Sequence, residues 1–77
     1  MSKYYIKKSK AIEIGNNIKE IRKARGLTQK EVAAEFNFTQ QHYSRYESGI
    51  HEFSYEQLCD LCKILQTTPN EIFGYDF

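Results

Sequence analysis

Thr39-Gln40-Gln41-His42-Tyr43-Ser44-Arg45-Tyr46-Glu47-Ser48-Gly49 opens with a helix-start signal and closes with a helix-stop signal. The Thr39 hydroxyl can accept an orphan backbone N–H of a first turn. Gly49 can take the left-handed conformation that follows a helix at no steric cost. Turned at about 100° per residue, the stretch divides into two faces. Tyr43, Tyr46 and Glu47 share one face. Gln41, Ser44, Arg45 and Ser48 share the opposite one, with Gln40 at the exposed N-terminal end. The first face must pack; the second offers amides, hydroxyls and a guanidinium. Planar amides and guanidinium groups are the ones that bond bidentately to the edges of adenine and guanine. A solvated helix side accounts for the same residues, so the flanking chain decides between the two readings.

Thr28-Gln29-Lys30-Glu31 is a capping box, with Thr at the N-cap and Glu three residues on. Val32, Ala33 and Phe36 form the inner stripe of a short helix that stops at Asn37, a residue tolerant of the left-handed conformation. Phe38 follows as an apolar plug. The connection Asn37-Phe38-Thr39 is short enough to make a helix-turn-helix arrangement with the quoted stretch. Upstream, Ile14, Ile18, Ile21 and Arg25 follow the spacing of an amphipathic helix from Glu13 to Arg25, with Lys19, Glu20 and Lys23 outside. Gly26 ends it and Leu27 anchors the chain after the stop. Residues 1–11 show no period. Lys3, Lys7, Lys8 and Lys10 mark them as a basic arm that could track a phosphate backbone or simply fray.

Downstream, residues 49–54 read as a loop. Ser54 and Gln57 make a second capping box, and Leu58, Leu61, Cys62 and Leu65 form a fourth helix's core stripe. Gln66 stands at its stop, where this helix is expected to fray or run on. Thr68-Pro69-Asn70-Glu71 starts a fifth helix: N-cap, proline at the first helical position, acid in the first turn. Ile72 and Phe73 close the core, and Gly74-Tyr75-Asp76-Phe77 is an aromatic tail. The predicted fold is all-α, with five helices. A basic arm over 1–11 precedes one domain over 12–77.

Seventy-seven residues leave room for one small core. No apolar run is long enough to span a membrane, and the lysine-containing start lacks the continuous apolar stretch of a signal peptide. Two cysteines three apart make no disulfide framework, which points to a reducing cytoplasm. The net charge of +1 conceals a division. Residues 1–30 carry nine Lys/Arg against two Glu, and residues 31–77 carry two against eight Asp/Glu. A cationic half suits a polyanion, and an acidic half implies that one face alone meets it. Chance clustering in a short chain gives the same pattern.

Gln29, Ala33, Asn37, Tyr43 and Tyr46 stand at the spacings of the helix-turn-helix signature, which has Gln, Ala, Gly and two apolar residues there. From Ile18 to Phe73 the chain resembles the Cro/phage-repressor type (XRE family) of DNA-binding domains. Leu27-Thr28-Gln29-x-Glu31-Val32-Ala33 resembles that family's Leu-Ser/Thr-Gln-x-Glu-Leu-Ala, and Tyr43-Ser44-Arg45-Tyr46-Glu47-x-Gly49 its Ile-Ser-x-Trp/Tyr-Glu-x-Gly. The resemblance implies a phage-repressor-like fold and a transcription regulator, most simply a repressor, bound as a homodimer to a palindromic operator in double-stranded DNA. It implies that Gln40, Gln41, Ser44 and Arg45 read base edges. Gln29, at a helix N-terminus, would hold a phosphate, with Thr28, Lys30, Tyr43 and Ser48 as further backbone contacts. The loop departs from the pattern: His51, Glu52 and Phe53 replace the usual Lys/Arg and proline. That leaves backbone N–H groups near Ser48 and Gly49 as its means of meeting a phosphate. Dimerisation is expected through helix 5 and the tail, where Phe73, Tyr75 and Phe77 cluster.

Glu47 points to the packing side, and Arg22 on the edge of the first helix's stripe can reach it. A partly buried ion pair is expected, one that fixes the angle of the quoted helix more than it stabilises the fold. Cys59-Asp60-Leu61-Cys62 is CxxC by letter but lacks the second pair of a zinc site, so both thiols read as buried and structural. His42 and His51 have no carboxylate or cysteine at metal spacing, and Ser44 with His42 has no orienting third group. No catalytic site, metal or cofactor is expected. A protein-interaction module, such as an antitoxin or a partner-recruiting domain, is the alternative; a redox or metal sensor using Cys59 and Cys62 is the third reading.

Overall fold

A computed structural model describes the backbone of residues 3–74 and the side chains of residues 10–74. It contains five helices: α1 (Lys3–Ala24), α2 (Gln29–Glu35), α3 (Gln40–Glu47), α4 (Tyr55–Ile64) and α5 (Pro69–Phe73). The described residues contain no strand. Each of α2 to α5 begins where a hydroxyl caps it. Thr28, Thr39, Ser54 and Thr68 accept the backbone N–H of Glu31, His42, Gln57 and Glu71. In α2 and α4 the bond is reciprocated by the Glu31 and Gln57 side chains.

The first four helices end alike. Gly26, Asn37, Gly49 and Gln66 take positive φ, and the next N–H turns back to close the stop. Leu27 donates to the Arg22 carbonyl, Phe38 to Ala33, Ile50 to Arg45 and Thr67 to Cys62, at 2.9–3.1 Å. This six-to-one closure satisfies carbonyls that a helix end would otherwise leave orphaned.

Two boundaries differ from the sequence reading. Helix α1 starts ten residues before Glu13, inside the expected arm. The segment before Gly15 has no apolar period, yet it has neither glycine nor proline, and extending an existing helix costs far less than nucleating one. Phosphate tracking by Lys3, Lys7 and Lys8 and the tail contacts of Tyr75 and Phe77 lie outside the described residues. Helix α4 neither frays nor runs on. Gln66 turns left-handed at φ +52°, and Arg25 holds the turn: its Nε donates to the Leu65 carbonyl and its Nη2 to that of Gln66, both at 2.8 Å. A cation at a helix C-terminus also suits the helix dipole.

Every helix puts at least one side chain into the core. Ile18, Val32, Ala33, Tyr43, Leu61, Leu65 and Ile72 are fully buried. Helix α1 packs on α3 and α5, and α2 packs on α3. The α1–α5 contact is fastened by Asn17, whose Nδ2 donates to the Ile72 carbonyl at 2.9 Å.

Candidate nucleic-acid interface

Gln29, Gln40, Gln41, Ser44 and Arg45 line one shallow cleft of about 470 Å³ between the start of α2 and the outer face of α3. Gln40, Gln41 and Arg45 are exposed; Gln29 and Ser44 are half-buried. Among these five residues there is no carboxylate, and the one formal charge is the Arg45 guanidinium. The surface offers donors and acceptors at amide and guanidinium spacing. Lys30 stands exposed in the first turn of α2. Thr28 and Ser48 are exposed as well, with hydroxyls already engaged: Thr28 Oγ1 accepts from Glu31, and Ser48 Oγ donates to the Arg45 carbonyl at 3.1 Å.

Two expected backbone contacts do not survive the geometry. Tyr43 has no exposed surface, so it cannot touch a phosphate. It lies on the inward face of α3, its hydroxyl makes no hydrogen bond, and burial, with the nearby Glu47 carboxylate, pushes its pKa up. The N–H groups near Ser48 and Gly49 are also taken: Ser48 donates to Ser44, Gly49 to Tyr46, and both Ile50 and His51 to Arg45.

Behind the cleft, Arg22 and Glu47 meet fork to fork. Nε of Arg22 donates to Oε2 of Glu47 at 2.7 Å and Nη2 to Oε1 at 3.1 Å. The remaining Nη1 donates to the Leu27 carbonyl at 2.8 Å. The two residues are 6% and 5% exposed, so neither charge has water to fall back on. The hydrogen bonds to Glu47 raise the Arg22 pKa against the opposing effect of burial. Gln29 joins this network, donating through Nε2 to Oε1 of Glu47 at 3.1 Å. One amide N–H is thereby committed, leaving its second N–H and its oxygen for the cleft. The cluster ties α1, the α1–α2 turn, α2 and α3 together at the base of the cleft.

Gly15, which the helical pattern passes over, fixes how closely α1 approaches α3. A Cβ there would lie 2.3 Å from the Glu47 carbonyl oxygen and 2.9 Å from that of Tyr46. An isolated glycine inside a helical pattern was the signal. A second close approach lies at Gly49, where a Cβ would lie 2.7 Å from Ile12 Cα. A second feature not readable from spacing is a run of rings on the flank of α3, in which Phe38, His42, Tyr46, His51 and Phe53 contact one another.

Cys59 is exposed, not buried as read from sequence, because it lies outside the Leu58–Leu61–Leu65 stripe. Cys62 is half-buried, and desolvation, with Cys59 beside it, pushes its thiol pKa up, away from reactive thiolate character. Among the described residues no group of three His, Cys, Asp or Glu is placed to hold a metal ion, and no helix is long and apolar enough to cross a membrane.

Comparison with known proteins agrees with this geometry. The family described as Helix-turn-helix matches residues 18–72, which span α2 and α3 and both partners of the buried ion pair. The chain is also 36% identical over 63 residues to "Antitoxin PezA" of Streptococcus pneumoniae serotype 4, a match covering 82% of this chain and 40% of that relative. No solved structure matches. With five helices, a helix-turn-helix of α2 and α3 and a family match over most of its length, the chain belongs to the XRE-type helix-turn-helix family of DNA-binding domains.

Proposed function

We propose that the protein is a sequence-specific transcription regulator, acting as a homodimer on a palindromic operator. The carrying observation is the cleft of Gln29, Gln40, Gln41, Ser44 and Arg45, free of acid among those residues and set on a helix whose inner face is locked. Gln40, Gln41, Ser44 and Arg45 read base edges in the major groove. Gln29 and Lys30 hold phosphates at the start of α2 beside Thr28, and Ser48 meets the backbone from the end of α3. Repression is the simplest outcome, since a domain seated on an operator excludes other proteins from it. Its two free cysteines suit a cytoplasmic setting. Selection from a random duplex pool tests the reading. Enrichment of an inverted repeat supports it; recovery of no enriched sequence removes it.

The likeness to a protein named as an antitoxin favours a second reading, in which the domain also serves a protein partner. Ile12, Ile50 and Tyr55 are large apolar side chains left exposed and available to such a partner. The chain spans 40% of that relative's length, so a partner-binding segment of the relative need not lie within the shared part. Absence of sequence selection together with a stable protein complex would make this the primary function.

A further inference from the structure

The chain has two histidines, and the fold brings both to one flank of α3. His42 follows Gln41 on the helix, and the His51 N–H donates to the Arg45 carbonyl at 3.2 Å, which pins the loop beside the end of the recognition face. The two imidazole centroids are 5.9 Å apart. Tyr46 contacts both, at 5.5 Å and 5.3 Å, and Phe38 meets His42 edge-on at 4.4 Å. Aromatic packing thus orients the pair, and neither imidazole makes a hydrogen bond among the described residues. His51 is exposed and His42 half-buried.

We propose that His42 and His51 together form a phosphate-contact site for duplex DNA, one that binds by taking up protons. The inference rests on the DNA-binding reading and deepens it. Because the N–H groups of residues 48–51 are already donated within the protein, these four residues meet a phosphodiester through their side chains. Lysine or arginine would do so at any pH; histidine does so fully only when charged, and its ordinary titration falls between about pH 5 and pH 8. The surrounding charges are of both signs. Arg45 lies on α3, Glu52 on the loop, and Lys10 on α1, where it pairs with Glu13 at 3.3 Å. Tyr46 is the other titratable group against the pair. An approaching phosphodiester adds negative charge, which favours the imidazolium forms. Proton uptake on binding means that affinity is greatest at low pH and falls as pH rises.

The test is fluorescence anisotropy with a labelled mixed-sequence duplex and with the selected duplex, at fixed ionic strength, from about pH 6 to about pH 8. The wild type should lose roughly tenfold in affinity across that range, the linkage of about half a proton taken up on average over the two pH units. The His42→Gln/His51→Gln double variant should bind with a flat profile, at the wild type's weak alkaline level. His51→Lys should stay tight at the alkaline end. Calorimetry in buffers of different ionisation enthalpy should show net proton uptake by the wild type and none by the double variant. Thermal melts at each pH check folding, and the exposed His51→Gln variant alone should halve the slope if His42 cannot be replaced. A flat wild-type profile with duplex binding intact, or a slope that survives in the double variant, overturns the site and leaves the DNA reading standing. No duplex binding at any pH overturns both.

Discussion

Arg45 lies one turn after Gln41 with its guanidinium exposed, while Gln29 faces the same cleft from α2 with one amide N–H held by Glu47. The two should therefore fail differently. Arg45→Ala should cost about 1–3 kcal/mol on the best operator and relax preference at one base position per half-site. Gln29→Ala should weaken all duplexes by a similar factor, because a phosphate contact carries no base information. Binding to the selected operator and its single-base variants separates them; an equal loss on every sequence would make Arg45 a backbone clamp. Glu47→Ala tests the layer behind. It strands a buried guanidinium and should destabilise the fold by about 3 kcal/mol in a denaturant melt. In a cycle with Arg22→Ala, additive effects would show that the pair is uncoupled. At this scale the sequence is informative where residue type and spacing decide the matter. An acid on the packing face needs a cation, and Arg22 is in reach. Tyr43 is the counterexample: its hydroxyl suggested a phosphate contact, but its place on the inward face was the stronger fact. Gln29's bond to Glu47 depends on how α2 crosses α3, which no spacing within either helix encodes.

The helices themselves were legible because each carries its own punctuation. Capping hydroxyls at Thr28, Thr39, Ser54 and Thr68 mark the starts, and Gly26, Asn37 and Gly49 mark stops. Legibility failed where punctuation is missing. Nothing marks the beginning of α1, and Gln66 is not a residue type that announces a left-handed turn; Arg25, distant in sequence, supplies the hydrogen bonds that hold it. Gly15 belongs to the same scale, since its significance is a helix–helix distance. Gly15→Ala forces α1 and the end of α3 apart at backbone atoms that cannot rotate away. The expected cost is about 1–3 kcal/mol in thermal or denaturant unfolding. Because the displaced atoms belong to the recognition helix, operator affinity measured well below the melting transition should also fall. Unchanged affinity in a destabilised variant would show that α3 keeps its place and α1 gives way.

For the whole molecule, the reading of a dimer requires two recognition faces about 34 Å apart, one turn of duplex. Helix α5 and the chain beyond it are the proposed contact, with Phe73 half-buried at its edge. Sedimentation over a wide concentration range should show weak self-association, strengthened by operator DNA. A strict monomer that binds one half-site without cooperativity would end that proposal. The opposed charges of the two halves of the sequence gave the polyanion reading but not the face. The four closed stops also set a rule about chain length. No residue can be inserted between Ala33 and Phe38 without opening the bond from Phe38 to Ala33 that places α3. The joints work as spacers of fixed count.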